Sequence, residues 1–571
     1  VAMTFGDLEA ISRRWADRLN RAGLGEGAPI WLYLPNGPEF ILAVLSVLRA
    51  GGVVVPIHTR LTDGELRQLA VSCPPAAVWC SGAVLRMKEV FASDDQPVLI
   101  ATTSVGSLVI EPSPAGRVVM AGRRLRAAGG LPGVVYFTSG STGRPKAILL
   151  THVNVASNAR ATAEAFGLRP EDRSVVCMQM CHSYTLTKQM LAHLGVGATL
   201  VLGPDFFNPV VVLDLVDRCG TTTLCAVPSM HVMLYEHIRR RSLRLPTLRL
   251  LTTGGSPMPD RVQVGLCESF PHVAFISSYG LSEASPCVTA LEPAWAVSKV
   301  GSVGRSIPGV RIRIVGTEGH HAAVGEVGEL CVQGPNVMAG YLNDPVATAR
   351  ALRGGWLHTG DLGWVDSDGC VSLCGRRDDL ILRGSENVYP AEVENVLCGH
   401  PAILEAGVVG VAHPMLGKNV GGTTRRSRCR GRFAWWRRCR GRRTARSAGR
   451  PCGKWRAEWF WAGARSRRGH HDQNRSADLC VCGAGDCCSF GDGVGQPARG
   501  GDRAGGRSRR RVVRDLRADA DPRDVIQHDG SGGDGRSGDQ QQLSFLEQSC
   551  RELLPPRAAD RWGRAINAAG T

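Results

Sequence analysis

Residues 134–147 read Val-Val-Tyr-Phe-Thr-Ser-Gly-Ser-Thr-Gly-Arg-Pro-Lys-Ala, an apolar strand running straight into hydroxyls and glycines that end in a lysine. Glycines let successive backbone N–H groups turn toward one anion, and Thr138, Ser139, Ser141 and Thr142 add hydroxyl donors. Gly140 and Gly143 supply the freedom, and Lys146 supplies a point charge that Pro145 stiffens. The chemistry this arrangement suits is the holding of phosphate oxygens. A Walker loop is excluded, because the G-x-x-x-x-G-K-[ST] spacing is absent. The competing reading is a polar surface turn between a strand and a helix.

Further motifs follow in order. They are Leu-Thr-Thr-Gly-Gly-Ser-Pro-Met-Pro (251–259), Ser-Tyr-Gly-Leu-Ser-Glu-Ala-Ser-Pro (278–286) and a segment from Gly328 to Tyr341. Then come Gly-Trp-Leu-His-Thr-Gly-Asp-Leu-Gly (355–363) and a long stretch from Gly375 to Glu394. Single matches arise by chance; an ordered set of six does not. Over about residues 3 to 420 the chain resembles the adenylate-forming superfamily, the acyl-CoA synthetases and their relatives.

The resemblance implies a reaction and a cast of residues. A carboxylate attacks the α-phosphorus of ATP, giving an acyl-adenylate and pyrophosphate, and the thiol of coenzyme A then displaces AMP. By resemblance Thr138, Ser139, Gly140, Ser141, Thr142, Gly143 and Lys146 cradle the phosphates. Glu283 holds Mg2+, a role suited to a hard carboxylate oxygen. Tyr279, before Gly280, stacks on adenine while the backbone of Gly254, Gly255 and Ser256 approaches the other face. Asp361 accepts from the ribose hydroxyls and Arg376 reaches the ribose or phosphates. His182 lines the acyl tunnel, Asp379 or Asp378 pivots a lid, and Gly384-Ser385-Glu386-Asn387 borders the coenzyme A channel. Each has an ordinary alternative: a core tyrosine, a solvated arginine pair, a structural histidine, a hairpin turn. The forms of the motifs around Glu283 and Tyr389 look most like ligases of fatty or medium-chain acids, so a fatty acid is the expected partner.

The elements that position these residues are legible from periodicity. Short apolar runs, Ile30–Leu34 and Val53–Pro56, flank a helical pattern from Glu39 to Leu48, and the alternation returns at 172–203 and 221–254. Such alternation predicts an α/β fold of doubly wound parallel sheets. Thr199–Leu202 reads as a buried strand and Leu248–Leu251 as an apolar one with a single charge, Arg249. From 296 to 375 turns crowd together, as in a small β-barrel-like subdomain. The expected organisation is a large domain over 1–375, a hinge and the start of an α+β lid over 376–420, and a tail over 421–571. Thr4-Phe5-Gly6-Asp7 reads as a helix cap rather than a signal peptide. No apolar run reaches membrane-spanning length, and scattered cysteines fit a reducing cytoplasm.

The chain of 571 residues carries a net charge of +17, which would ordinarily point to nucleic acid. Residues 421–571, however, hold 32 of the 68 basic residues and only 16 of the 51 acidic ones. The first 420 residues are nearly neutral, as expected for an enzyme with no nucleic-acid partner.

The tail has thirteen Ile, Leu, Val or Met in 151 residues, yet six of the twelve tryptophans and eight of the twenty cysteines. Disordered linkers are poor in aromatics. A reading-frame change near codon 420 accounts for the mixture. With the codon boundary moved back one base, every Trp or Cys becomes Leu, Val or Met, and every CGN arginine becomes a small residue. Trp435, Trp436, Cys429 and Cys439 then read as a strand. The superfamily's late lid lysine has no counterpart here, because Lys454 lies too close to the hinge. The alternatives are a ligase that delivers to a carrier protein, or an inactive remnant with a basic tail that binds nucleic acid through Arg507, Arg509, Arg510 and Arg511. A metal site at Cys480, Cys482, Cys487 and Cys488 matches no zinc spacing.

Overall fold

A computed structural model describes residues 2–426 and 477–480, apart from 82, 92–97, 105–106, 112–123, 139–144, 205–206, 242–243, 317–318, 384–385, 399–402 and 414–416. Thr4 caps the first helix, Phe5–Arg21, as expected. The Asp7 N–H donates to Thr4 Oγ1 at 3.1 Å and the Thr4 N–H to Asp7 Oδ2 at 2.9 Å.

Two large sheets dominate. Across the first run Gly340–Tyr341, Lys146–Thr151, Pro132–Thr138, Val53–Pro56, Pro29–Tyr33, Ala77–Cys80, Val98–Ser104 and Ser107–Glu111. The inner pairs are parallel and the outer ones antiparallel. Pro29–Tyr33, Val53–Pro56 and Ala77–Cys80 are buried at every position, which is why their apolar runs do not alternate. Helices Phe5–Arg21 and Pro38–Arg49 cover one face, where Trp15 and Trp79 meet at 5.3 Å.

The second sheet starts parallel, in the order Thr199–Leu202, Arg173–Val176, Thr223–Cys225, Leu250–Thr253 and Ala274–Gly280. It continues antiparallel through Cys287–Ala290, Ser302–Ser306, Val371–Arg376, Trp356–Val365, Gly328–Gln333 and Arg311–Val315. The short strands expected as a separate barrel-like unit are thus one ladder continuous with this sheet. Thr199–Leu202 is half-buried, not buried, because it is the edge strand. The strand expected to begin at Leu248 begins at Leu250. A third sheet contains Glu386–Val388, Ile381–Arg383, Gly417–Arg426 and Ile403–His413, with helix Pro390–Cys398 beside it. Its longest pairing runs to Arg426, beyond the expected limit at 420, and Ala477–Cys480 adds to Gly421–Thr424. The rest of the tail lies outside the described residues. Among the described residues no helix is long and apolar enough to cross a membrane.

The lone charge directly before the fourth strand of the second sheet has a partner. Arg249 donates to Asp172 through Nε at 2.7 Å and also through Nη2. Thr222 Oγ1 (2.7 Å) and the Arg169 N–H (2.8 Å) complete the shell around a carboxylate only 2 % exposed. Backbone bonds Thr199 N to Asp172 O, Thr222 N to Arg173 O and Arg249 N to Thr222 O start three neighbouring strands around this one anion. Burial alone would raise the Asp172 pKa; the Arg249 fork and the Thr222 hydroxyl outweigh it and hold the pKa below the usual value.

Asp172→Asn should therefore lower unfolding stability by about 3 kcal/mol, since a half-buried guanidinium loses the buried carboxylate it is paired with. A carboxylate with a depressed folded pKa contributes stability that is present above its unfolded pKa of about 3.9 and is lost as pH falls through the folded value. The urea midpoint of the wild type should drop along that acid limb, and the variant should lack this component.

Candidate active site

Strands Pro132–Thr138 and Lys146–Thr151 form a hairpin whose last pair is Thr138 with Lys146. These two residues frame the loop, while Ser139, Gly140, Ser141, Thr142 and Gly143 lie outside the described residues. The Lys146 ammonium sits 4.9 Å from the Tyr341 ring centre, and no carboxylate among the described residues pairs with it. Tyr341 in turn donates from its hydroxyl to Glu283 Oε1 at 3.0 Å. Lys146 and Glu283, separated by more than a hundred residues, are thus joined through one tyrosine.

Glu283 lies in a single turn, Ser282–Ala284, directly after strand Ala274–Gly280. Buried amides fix that turn from outside. Asn158 donates to Cys287 O at 2.7 Å and to Ala284 O at 3.3 Å, and accepts from the Cys287 N–H at 3.1 Å. Asn336 donates to Ala284 O at 2.9 Å and accepts at its backbone from Ser285 Oγ at 2.7 Å. Ser285 holds φ = 67°, a left-handed conformation that needs such support in a residue with a Cβ. At Gly280 a Cβ would stand 1.8 Å from Pro286 O, so the chain passes there only as glycine.

Asp361 and Tyr279 are both buried, and the Tyr279 hydroxyl donates to Asp361 Oδ2 at 2.5 Å. Arg376, the cross-strand neighbour of Asp361, reaches Oδ1 at 3.1 Å. Burial raises the Asp361 pKa, opposed by Tyr279 and Arg376; burial first, and then the Asp361 charge, raise that of Tyr279. Arg376, expected at the ribose or phosphates, thus faces the carboxylate expected to hold the ribose. Two protein donors do not exhaust a carboxylate, which offers about four lone-pair directions.

The bend that carries Asp361 is set by Glu329. Its Oε1 accepts from the Gly360 N–H at 3.1 Å and lies 3.3 Å from Arg377, and its Oε2 lies 3.0 Å from His358 Nδ1 and 3.6 Å from Arg353. Cys331 Sγ is 3.3 Å from the same His358 nitrogen. With two guanidiniums converging on Glu329, the cluster fits an ion-pair anchor better than a cation site. Glu329, Asn158, Asn336 and Tyr341 were missed as functional positions. Glu329, Asn336 and Tyr341 stand inside a recognised motif, so that signal was present; Asn158 sits mid-helix with none.

Gly254 lies where a Cβ would come within 2.8 Å of Ser278 O and 3.2 Å of the Tyr184 ring, and Gly255 takes φ = +89°. Ser256 is exposed beside them. His182 is exposed next to His58, ring centres 5.9 Å apart; desolvation and then the neighbouring imidazole lower its pKa. Its neighbour Ser183 meets Ser282 at 3.0 Å, bringing the His182 segment to the Glu283 turn. Asp378 and Asp379 are exposed in a turn between the second and third sheets. Gly384 and Ser385 lie outside the described residues, between strands paired Arg383 to Glu386.

The arrangement offers an unpaired cation, a carboxylate on a rigid turn, a second carboxylate in a buried network and glycines that admit a flat ligand. Comparisons with known proteins bear on the family. The family model described as AMP-binding enzyme matches residues 1–342. A feruloyl-CoA synthase from Amycolatopsis sp is 34 % identical over 434 residues, covering 73 % of this chain and 82 % of the relative. An indoleacetate–CoA ligase from Aromatoleum aromaticum is 31 % identical, covering 72 % and 80 %. The solved o-succinylbenzoate CoA synthetase of Bacillus subtilis, in complex with its acyl-adenylate intermediate, superposes with a TM-score of 0.65 at 27 % identity, over 75 % of this chain and 84 % of that one. A buried Tyr279–Asp361 pair, a Tyr341-linked lysine and glutamate, and this set of relatives lead to one assignment: the chain belongs to the AMP-binding enzyme family, among its AMP-forming acid–CoA ligases.

Proposed function

We propose that the protein activates an aryl-substituted carboxylic acid with ATP and transfers the acyl group to coenzyme A. In the first step an acid oxygen bonds to the α-phosphorus and pyrophosphate leaves; in the second the thiol sulfur bonds to the acyl carbon and AMP leaves. The observation that carries this is the Lys146–Tyr341–Glu283 link at the carboxyl ends of two sheets, with Tyr279 and Asp361 alongside. In that reading Thr138 and Lys146, with the loop between them, hold phosphates, where the unpaired ammonium offsets charge that builds as pyrophosphate departs. Glu283 keeps Oε2 for Mg2+, which supplies neutralisation of phosphate oxygens. Tyr279 and the bare backbone of Gly254 and Gly255 bracket adenine, and Asp361, steadied by Arg376, takes the ribose. His182 borders the acid, and Gly384 and Ser385 border coenzyme A.

The aryl acid is favoured over the expected fatty acid because the relatives compared above are named for feruloyl, indoleacetate and succinylbenzoate substrates. Cys73, Cys177, Cys225 and Cys287 are buried thiols, which supports a reducing, cytoplasmic setting. The division into a large domain over 1–375, a lid that starts at 376, and a tail beyond 420 that is out of frame belongs to the same reading. In the lid sheet Val409 and Val411, two positions apart on one strand, are 60 % and 45 % exposed. They form an apolar face that the aliphatic-poor tail has little to cover with.

ATP–pyrophosphate exchange against phenylpropenoic, indolylacetic and C6–C18 fatty acids tests substrate and frame together. The frame-restored protein should exchange fastest with an aryl acid, and at least about a hundredfold faster than the 571-residue chain, the scale of losing one preorganised charge. Equal rates would overturn the account of the tail, and a fatty acid at the top of the series would overturn the aryl assignment. Glu283→Gln should weaken ATP binding about 10-fold or more in Mg2+ but not in EDTA, as calorimetry reads it. Asn158→Ala leaves the buried Cys287 N–H without its side-chain acceptor and the Ala284 and Cys287 carbonyls with Asn336 as their one remaining amide donor, so the urea midpoint should report a loss of about 2 kcal/mol.

A further inference from the structure

Lys188 is only 3 % exposed, in the middle of helix Tyr184–Leu191. That helix has π geometry, a widened turn often found at functional sites. The ammonium donates to Ser278 Oγ at 2.5 Å and lies 4.1 Å from the Tyr184 ring centre and 5.1 Å from that of Phe166. No carboxylate among the described residues forms an ion pair with it. Ser278 in turn donates to Thr253 O at 2.5 Å, and beyond that hydroxyl and the two ring faces the thiols of Cys225 and Cys287 are close enough to act on the cation. Burying an ammonium without a counter-charge costs several kcal/mol, and desolvation duly lowers its pKa. A core position that needed only volume would hold Met or Leu more stably.

The place of this cation matters as much as its isolation. Ser278 immediately precedes Tyr279, and Thr253 immediately precedes Gly254, so Lys188 stands about one strand residue, roughly 3.3 Å, below the site floor. The Tyr184 ring links the two levels. It covers the ammonium, lies where a Gly254 Cβ would touch it, and faces Thr252 Oγ1 through its hydroxyl at 3.3 Å. His182 and Ser183 continue the same wall up to Ser282. An acid whose carboxylate reacts near Lys146 and Glu283, and whose tail descends along 182–188, would bring its far end toward Nζ.

We propose that Lys188 is a specificity-determining residue that hydrogen-bonds an oxygen at the end of the acid remote from its reacting carboxylate, a phenolic hydroxyl or a second carboxylate. This rests on the reading of the site given above. Two donor hydrogens of the ammonium remain after Ser278, and an oxygen there would supply the acceptor the fold omits. An acid that lacks the oxygen would leave those donors facing carbon, and sites of that kind discriminate strongly.

The test measures dissociation constants of cinnamate, 4-hydroxycinnamate and 4-carboxycinnamate for the full chain by calorimetry, with α,β-methylene ATP present. At least one oxygenated acid should bind tenfold or more tightly than cinnamate, the hydroxyl or the carboxylate form according to which oxygen is read. Lys188→Met, which keeps the volume, should bring that ratio near one. Equal affinities in the wild type, or a ratio that survives the substitution, would overturn the proposal. If the variant does not fold, the wild-type ratio decides alone. Failure of the nucleotide analogue to bind at all would instead overturn the ligase reading beneath it.

Discussion

The segment Met338–Leu342 ties the two large sheets to each other, and the site depends on that tie. Its Met338 N–H donates to Glu283 O at 2.9 Å, on the turn that follows a strand of the second sheet. One residue on, the Ala339 N–H donates to Leu149 O at 3.0 Å and the Leu342 N–H to Ala147 O at 2.7 Å, both in the first sheet. Tyr341 repeats the connection in side chains, its ring under Lys146 and its hydroxyl on Glu283. The charges that would face a triphosphate come from different sheets, so their separation is set by five short contacts on one strap. Desolvation and the Glu283 charge raise the Tyr341 pKa, which keeps its hydroxyl a donor at neutral pH.

Around that strap the electrostatics are unbalanced in a purposeful way. Structural carboxylates are saturated: Asp172 collects a guanidinium fork, a hydroxyl and an amide, and Glu329 collects an amide beside two guanidiniums and an imidazole. Lys146 and Lys188, by contrast, rest against aromatic rings, with no carboxylate among the described residues in an ion pair with either. Ring faces hold a cation in place while leaving its donor directions open. Carboxylates that hold strands together are thus ringed by donors, whereas these two ammoniums lie on ring faces.

Much of this was legible from residue order. Runs such as Val53–Pro56 read as strands because burial on both faces removes the polar alternation, and the Thr4 cap follows from side-chain chemistry within four residues. Thr138, Lys146, Glu283, Tyr279 and Asp361 stand in local motifs, and the chain brings them together. What the sequence hid was pairing across distance. That Thr199–Leu202 is an edge, that Arg249 meets Asp172, and that Arg376 turns to Asp361 are facts of strand order, which no local pattern encodes. Lys188 escaped for a related reason: between Thr187 and Gln189 it looks like a surface lysine, and only tertiary packing makes it buried.

The third sheet shows the same logic from the other side. Strands Ile403–His413 and Gly417–Arg426 pair over ten positions, so backbone hydrogen bonding alone carries the sheet to Arg426. A sheet needs a covered face to be stable by itself, and Val409 and Val411 offer one. Past Arg426 the chain supplies arginine and glycine where a following strand or helix would place aliphatic side chains. Hydrogen bonds to water and to a neighbouring strand are nearly equal in free energy, whereas apolar burial is not, so the limiting quantity is apolar area.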